Sequence, residues 1–145
     1  MKKIIFLLTF LFITVLAFSQ VGLFLYVDMG NDDLAQNSIF QSIISELDEL
    51  KSNGSSTFYP APLMDADVEL LIRGMRIVHN NAFIGYAISA SVVFHDPELV
   101  AYSDHIVLTC NPNAAGLQWA AESIVDYLDR LVGRVGQQTD QSNWR

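Results

Sequence analysis

The densest set of groups able to do chemistry in this chain is the turn VDMGNDDL, where Asp28, Asn31, Asp32 and Asp33 crowd together just after the apolar run VGLFLY. Oxygen donors this close fit two chemistries. One is a small-ligand or cation site, or a weak hydrolytic centre, organised around Asp28 with Asp32 and Asp33 beside it. The other is the opening of a helix. A calcium loop needs oxygen ligands at a fixed alternation ending in a bidentate carboxylate, and this segment does not follow that pattern. Helix chemistry accounts for more of it. Asn31 sits where an N-cap belongs, and Asp32 and Asp33 fall in the first turn, where negative charge offsets unpaired N–H groups. Asp28 is left over, at the carboxyl end of an expected central strand, where open α/β sheets place ligands.

The remaining reactive side chains do not converge. Extended geometry puts His79 and His95 on the order of 40 Å apart, and places His105 opposite Ala90, about 15 Å from His95. No pair can share a zinc ion. Asp104 and His105 are neighbours in a strand and point to opposite faces. Cys110, the single cysteine, can form no intramolecular disulfide. It follows Ile106 and Leu108 at strand spacing, which makes it a buried thiol. There is no serine elbow, P-loop, paired-cysteine motif or dinucleotide fingerprint. The sequence therefore nominates no catalytic residue and no cofactor.

The compartment is written at the start. Lys2 and Lys3 precede the apolar stretch Ile4 to Leu16, and AFS at 17–19 ends it with small residues. That is the layout of a secretory signal peptide over residues 1–19, with export to the periplasm or beyond. The rival is an uncleaved signal anchor, because VGLFLYV prolongs the hydrophobicity past the cut. The run is short for a membrane span and no second one follows, so no stable membrane insertion is expected after cleavage. Losing Lys2 and Lys3 takes the formal net charge from −8 to −10. Such a surface repels nucleic acid. With 51% hydrophobic residues the chain still has ample material for one core.

Several elements must position these residues. VGLFLYVDM reads as a strand buried on both faces. NDDLAQNSIFQSIISELDELKSNG places Leu34, Phe40, Ile43, Ile44, Leu47 and Leu50 at helical spacing, and Asn53-Gly54 stops it. Pro60 and Pro62 permit only a short strand around TFY, in a loop where Phe58 and Tyr59 are candidate contacts. VELLIRGMRIV satisfies helix and strand alike; Gly74, its β-branched neighbours and the adjacent turn favour strand. Asn80-Asn81 and HDPEL then make two turns of a three-stranded meander. NPNAAGLQWAAESIVDYLDRLVG is a helix with Asn113 as cap, Gly133 as its end, and a stripe of Leu117, Ala121, Ile124, Leu128 and Leu131. Trp119 lies off that stripe. The fold class is α+β: a single mixed sheet, made of the N-terminal strand and the meander, with two main helices on one face. One domain covers 20–133, and 134–145, with Trp144, is a polar tail.

Pairing about Asn80-Asn81 sets Ile77 beside Ile84, Met75 beside Tyr86 and Arg73 beside Ile88. The opposite face carries Gly85, Ala87 and Ser89, with Ile106, Leu108 and Cys110 from the third strand. Small side chains admit a helix closely, so the helices are expected there. The face of Ile84, Tyr86 and Ile88 is then either covered by the proline loop or open to a partner, for which Phe58 and Tyr59 are further candidate contacts.

At DADVELLIRGMRIV, the Asn80-Asn81 hairpin, VVFHDPELVAYSDHIVL and AAESIVDYLDRLVG, the sequence resembles small envelope domains of the kind at the front of the Tol-Pal translocation protein. Curli-secretion and penicillin-binding-protein activator domains are similar. The resemblance covers residues 64–131 in pattern. It implies a non-enzymatic adaptor that binds a cell-envelope protein, and it leaves homo-oligomerisation open. The absence of a lipoprotein cysteine and of a second domain departs from those proteins.

Overall fold

A computed structural model describes residues 20–54, 56–95 and 103–142, with side chains to residue 135. The elements run β1 (Gln20–Asp28), α1 (Asp33–Ser52), β2 (Thr57–Pro60), a 3-10 turn (Leu63–Asp65), β3 (Val68–His79), β4 (Ala82–Phe94), β5 (Ser103–Cys110) and α2 (Ala114–Ser142). One mixed sheet has the order β2-β1-β3-β4-β5, parallel on both sides of β1 and antiparallel from β3 onward. Two helices lie on one of its faces. The α+β class holds, and the TFY segment joins the sheet as an edge strand.

The crossover from β2 to β3 explains the start of β1. Pro60 and Val68 both stand level with Leu23, on opposite sides of it. The chain between them changes sides over β1 and is tied there by backbone. Ala61 N–H donates to the Leu23 carbonyl (3.0 Å) and Asp67 N–H to the Gly22 carbonyl (2.9 Å). The Asp67 carboxylate accepts from Gly22 N–H at 2.7 Å. A Cβ on residue 22 would stand 3.1 Å from that carboxylate and from the Tyr59 hydroxyl, so only glycine fits the crossing comfortably.

The hairpin turn forms as its residues dictate. Asn80 and Asn81 both take positive φ, 49° and 62°, the twist that a two-residue connection needs. The register beyond it differs from expectation. Val78 pairs with Phe83 but Ile77 pairs with Gly85, leaving Ile84 with no residue opposite. This bulge moves every later pair by one residue, and a one-residue slip exchanges faces. Tyr86 therefore stands beside Arg76, Ile88 beside Gly74, and Ala87 beside Met75. On the other side His105 falls opposite Ser91, with Ile106 opposite Ala90.

The helices consequently cover the face expected to lie away from them. Tyr86, Ile88, Ala90, Val92 and Phe94 of β4 join Val68, Leu70 and Ile72 of β3 in the core. From above they meet Ala35, Ile39, Ile43 and Leu47 of α1, an i, i+4 series that leaves Leu34 and Phe40 outside the stripe. The α2 stripe is buried as expected, with Ala120 and Val125 added. Ile106, Leu108 and Cys110 pack partly against this core. Only one face of β1 is sealed: Leu23 and Val27 are buried while Tyr26 is exposed.

Two helix ends are corrected. Asp32, not Asn31, caps α1. Helix α2 continues through Gly133 to Ser142, where a polar tail was expected. A glycine costs a helix interior only about 1 kcal/mol and does not end it without a proline or a closing cap. Residues 1–19, expected to be a leader, the expected HDPEL turn beyond His95, and Trp144 lie outside the described residues.

Candidate functional site

The acidic turn is built from its own backbone bonds. An Asp28 carboxylate oxygen accepts from Gly30 N–H at 2.9 Å, closing the turn. Asp32 Oδ1 accepts from Ala35 N–H at 3.1 Å, the capping bond. Its Oδ2 accepts from the Tyr86 hydroxyl at 2.5 Å. Asp33 lies in the first turn of α1 and is exposed. Phe83 meets Tyr86 edge to face, centroids 5.0 Å apart, and the Arg76 guanidinium lies over the Phe83 ring at 4.1 Å. These groups fasten the hairpin to the start of α1.

The electrostatics of that set argue against acid–base work. The hydrogen bond from Tyr86, then that from Ala35 N–H, hold the Asp32 carboxyl below its ordinary range. Burial, then the bond to Asp32, pushes the Tyr86 hydroxyl up to about 12. A carboxylate made less basic and a phenol made less acidic are both moved away from neutral-pH proton transfer. Among the described residues no three His, Cys, Asp or Glu side chains are grouped to hold a metal ion. His95 bonds Glu69 at the far end of the sheet from His79. Burial raises the Cys110 thiol, which keeps it protonated.

The five expected contact residues separate. Ile88 is 0% exposed and Tyr86 3%, both beneath the helices, so neither can touch a docking partner. Phe58 packs partly against the core and Tyr59 is exposed on the edge strand. Ile84 is exposed at the bulge.

Part of the accessible apolar surface is the other side of the sheet, alongside Leu34 of α1 and Met64 of the 3-10 turn. Register sets Tyr26 beside Leu71, Ser91 and His105 in one row, Asp28 beside Arg73, Ser89 and Val107 in the next, and Met75 beside Ala87 and Thr109 in a third. Met75 is 69% exposed and Val107 65%. Ala87, Ser89 and Ser91 make the centre low and the flanks high. Sequence reasoning did not single out Tyr26, Met75 and Val107: an unbulged hairpin keeps Met75 beside Tyr86, and only the extra residue before Gly85 separates them. At the hairpin end a cleft of about 560 Å³ is lined by Ile77, Ile84, Thr109, Cys110, Asn111 and half-exposed Trp119. Gly85 floors it: a Cβ there would lie 2.4 Å from the Cys110 carbonyl oxygen.

No helix among the described residues is long and apolar enough to cross a membrane. No family model matches the chain, and no curated protein matches it. Among solved structures it is similar to rare lipoprotein B from Shewanella oneidensis, at 13% identity over 86% of this chain and 99% of that one, with a TM-score of 0.36. A likeness at that level supports no argument about what this chain does.

Proposed function

We propose that the chain is an exported, non-enzymatic module of the cell envelope that binds another envelope protein on the open face of its sheet. Export follows from the leader-like first nineteen residues, Lys2 and Lys3 ahead of an apolar run. The observation that carries the binding role is the exposure of Tyr26, Met75 and Val107 on one side of a sheet whose other side lies under the two helices. Exposed large apolar groups gathered on one surface mark interaction sites, whereas scattered ones mean nothing. The partner is a protein because the acidic surface disfavours nucleic acid and anionic lipid. A cation or small ligand at Asp28 gains no support from the turn, where Asp28 and Asp32 each bond a backbone N–H of their own turn.

The test is tagged purification from the cells that naturally make the protein, with surface variants. Tyr26→Asp and Met75→Asp, folded by circular dichroism, should lose a specific envelope protein that Leu34→Ser retains. Recovery of the same protein with both open-face variants would overturn the proposal.

A further inference from the structure

We propose that two copies of this chain associate edge to edge through β5, antiparallel about a twofold axis at Val107, so that one sheet runs through both. This inference is independent of what docks on the open face. It starts from the β5 edge of the sheet, where the Asp104 carboxylate accepts from His105 N–H at 2.8 Å. β4 pairs with one side of β5, and no described strand pairs with the other. The segment SDHIVLTC contains no proline and no lysine, and its pairing with β4 has no bulge. Proline, lysine and bulges are three of the devices by which sheet edges avoid other strands, and the charge of Asp104 is the one this edge keeps.

Burial gives the second observation. Ile106 and Leu108 point to the helix side but are only half-buried, although the residues opposite them on β4, Ala90 and Ile88, are fully buried. Helix α2 thus stops short of closing over the edge. Val107 on the opposite side is 65% exposed. A further strand alongside would complete the burial of Ile106 and Leu108 on the helix side and flank Val107 on the open side.

The segment is complementary to itself, which is why the occupant is a second copy. Directly opposed residues in an antiparallel pair share a face. With Val107 opposite Val107, Ile106 meets Leu108 on the helix side, His105 meets Thr109 on the open side, and Asp104 meets Cys110. Apolar groups meet apolar groups, and no carboxylate opposes another. The axis stands perpendicular to the sheet, so the two helix layers fall on one side and the two open faces on the other. Such an interface is isologous and closes at two copies. The net charge of each copy opposes association at long range, so salt should strengthen it.

The test uses single-cysteine variants in a Cys110→Ser background of the whole protein, with a short bismaleimide and sedimentation. Opposed residues have Cβ atoms about 5 Å apart, whereas two copies of residue 109 would be offset by about 13 Å along the strand. Val107→Cys should therefore crosslink to a dimer in most molecules and Thr109→Cys in few. Raising the salt should tighten the dimer severalfold, and Val107→Lys should yield a folded monomer. A monomer at every concentration and salt, with Val107→Cys uncrosslinked, would overturn the proposal. So would stronger crosslinking at 109 than at 107, or an unaltered dimer in Val107→Lys.

Discussion

The two faces of the sheet share one strand and differ in every consequence. Along β4, Tyr86, Ile88, Ala90, Val92 and Phe94 lie under two helices, while Ala87, Ser89 and Ser91, between them, meet no helix. One side is packed like an interior and holds the fold together; the other is low at its centre, flanked by exposed Met75 and Val107. Composition alone does not set this division. The extra residue at Ile84 brings Ile88, Ala90 and Val92 of β4 onto the same face as Ile72 and Leu70 of β3, the set the helices cover. A packed face and an open face are thus separated by a single residue of register.

The sharpest way to break that contrast is to truncate both sides. Ile88→Ala should lose about 2–5 kcal/mol of stability in urea unfolding, because it opens a cavity in a closed core. Met75→Ala should change it by about 0.5 kcal/mol or less. Equal losses would mean that the open face is covered in solution. Next is the bulge. Gly85→Ala drives a methyl into the Cys110 carbonyl and should cost about 1–3 kcal/mol. It should also disturb the cleft, read by Trp119 fluorescence.

A smaller loss is expected where the sealed face meets α1. Tyr86→Phe removes the hydroxyl that bonds Asp32 and should cost about 1 kcal/mol. The same pair sets a pH dependence. The Asp32 carboxyl titrates lower in the folded protein, so its contribution is present above the unfolded carboxyl range and fades as pH falls through the folded value. The Tyr86 hydroxyl is raised, so its contribution is whole below about pH 10 and is lost as pH climbs toward about 12. Unfolding curves for Tyr86→Phe and the parent should converge at both extremes. The smallest effect lies in the helix layer. Burial raises the Glu46 carboxyl, and Glu122, Glu49 and Asp126 add to it. Glu46→Gln should stabilise the protein at neutral pH by about 0.2–0.5 kcal/mol, with the gain vanishing in acid.

Much of the fold is legible in local pattern. The α2 stripe, the Asn80-Asn81 turn and the strand after Asp67 follow from periodicity and from asparagine's tolerance of positive φ. The β2 crossover turns on contacts between Gly22 and Asp67, 45 positions apart, which no local pattern carries. The local pattern puts Tyr86 and Ile88 on the open face, where the structure buries them, for one reason. Alternation says which residues share a face, but not which face meets the helices. Ile84 pairs acceptably with Ile77 on paper, and only packing of α1 and α2 against Tyr86 and Ile88 selects the bulged register. Asp32 shows a similar limit: Asn31 is an equally good cap by type, and the Tyr86 hydroxyl reaching in from β4 favours the next residue.

Photo-crosslinking in living cells tests the central claim most directly, with a photoreactive residue placed in turn at positions 26, 75 and 48. Positions 26 and 75 lie on the open face and 48 on the exposed side of α1. One discrete protein product shared by 26 and 75 and missing at 48 is the predicted result. No product at either open-face position, or the same product from 48, would contradict the assignment of recognition to that face.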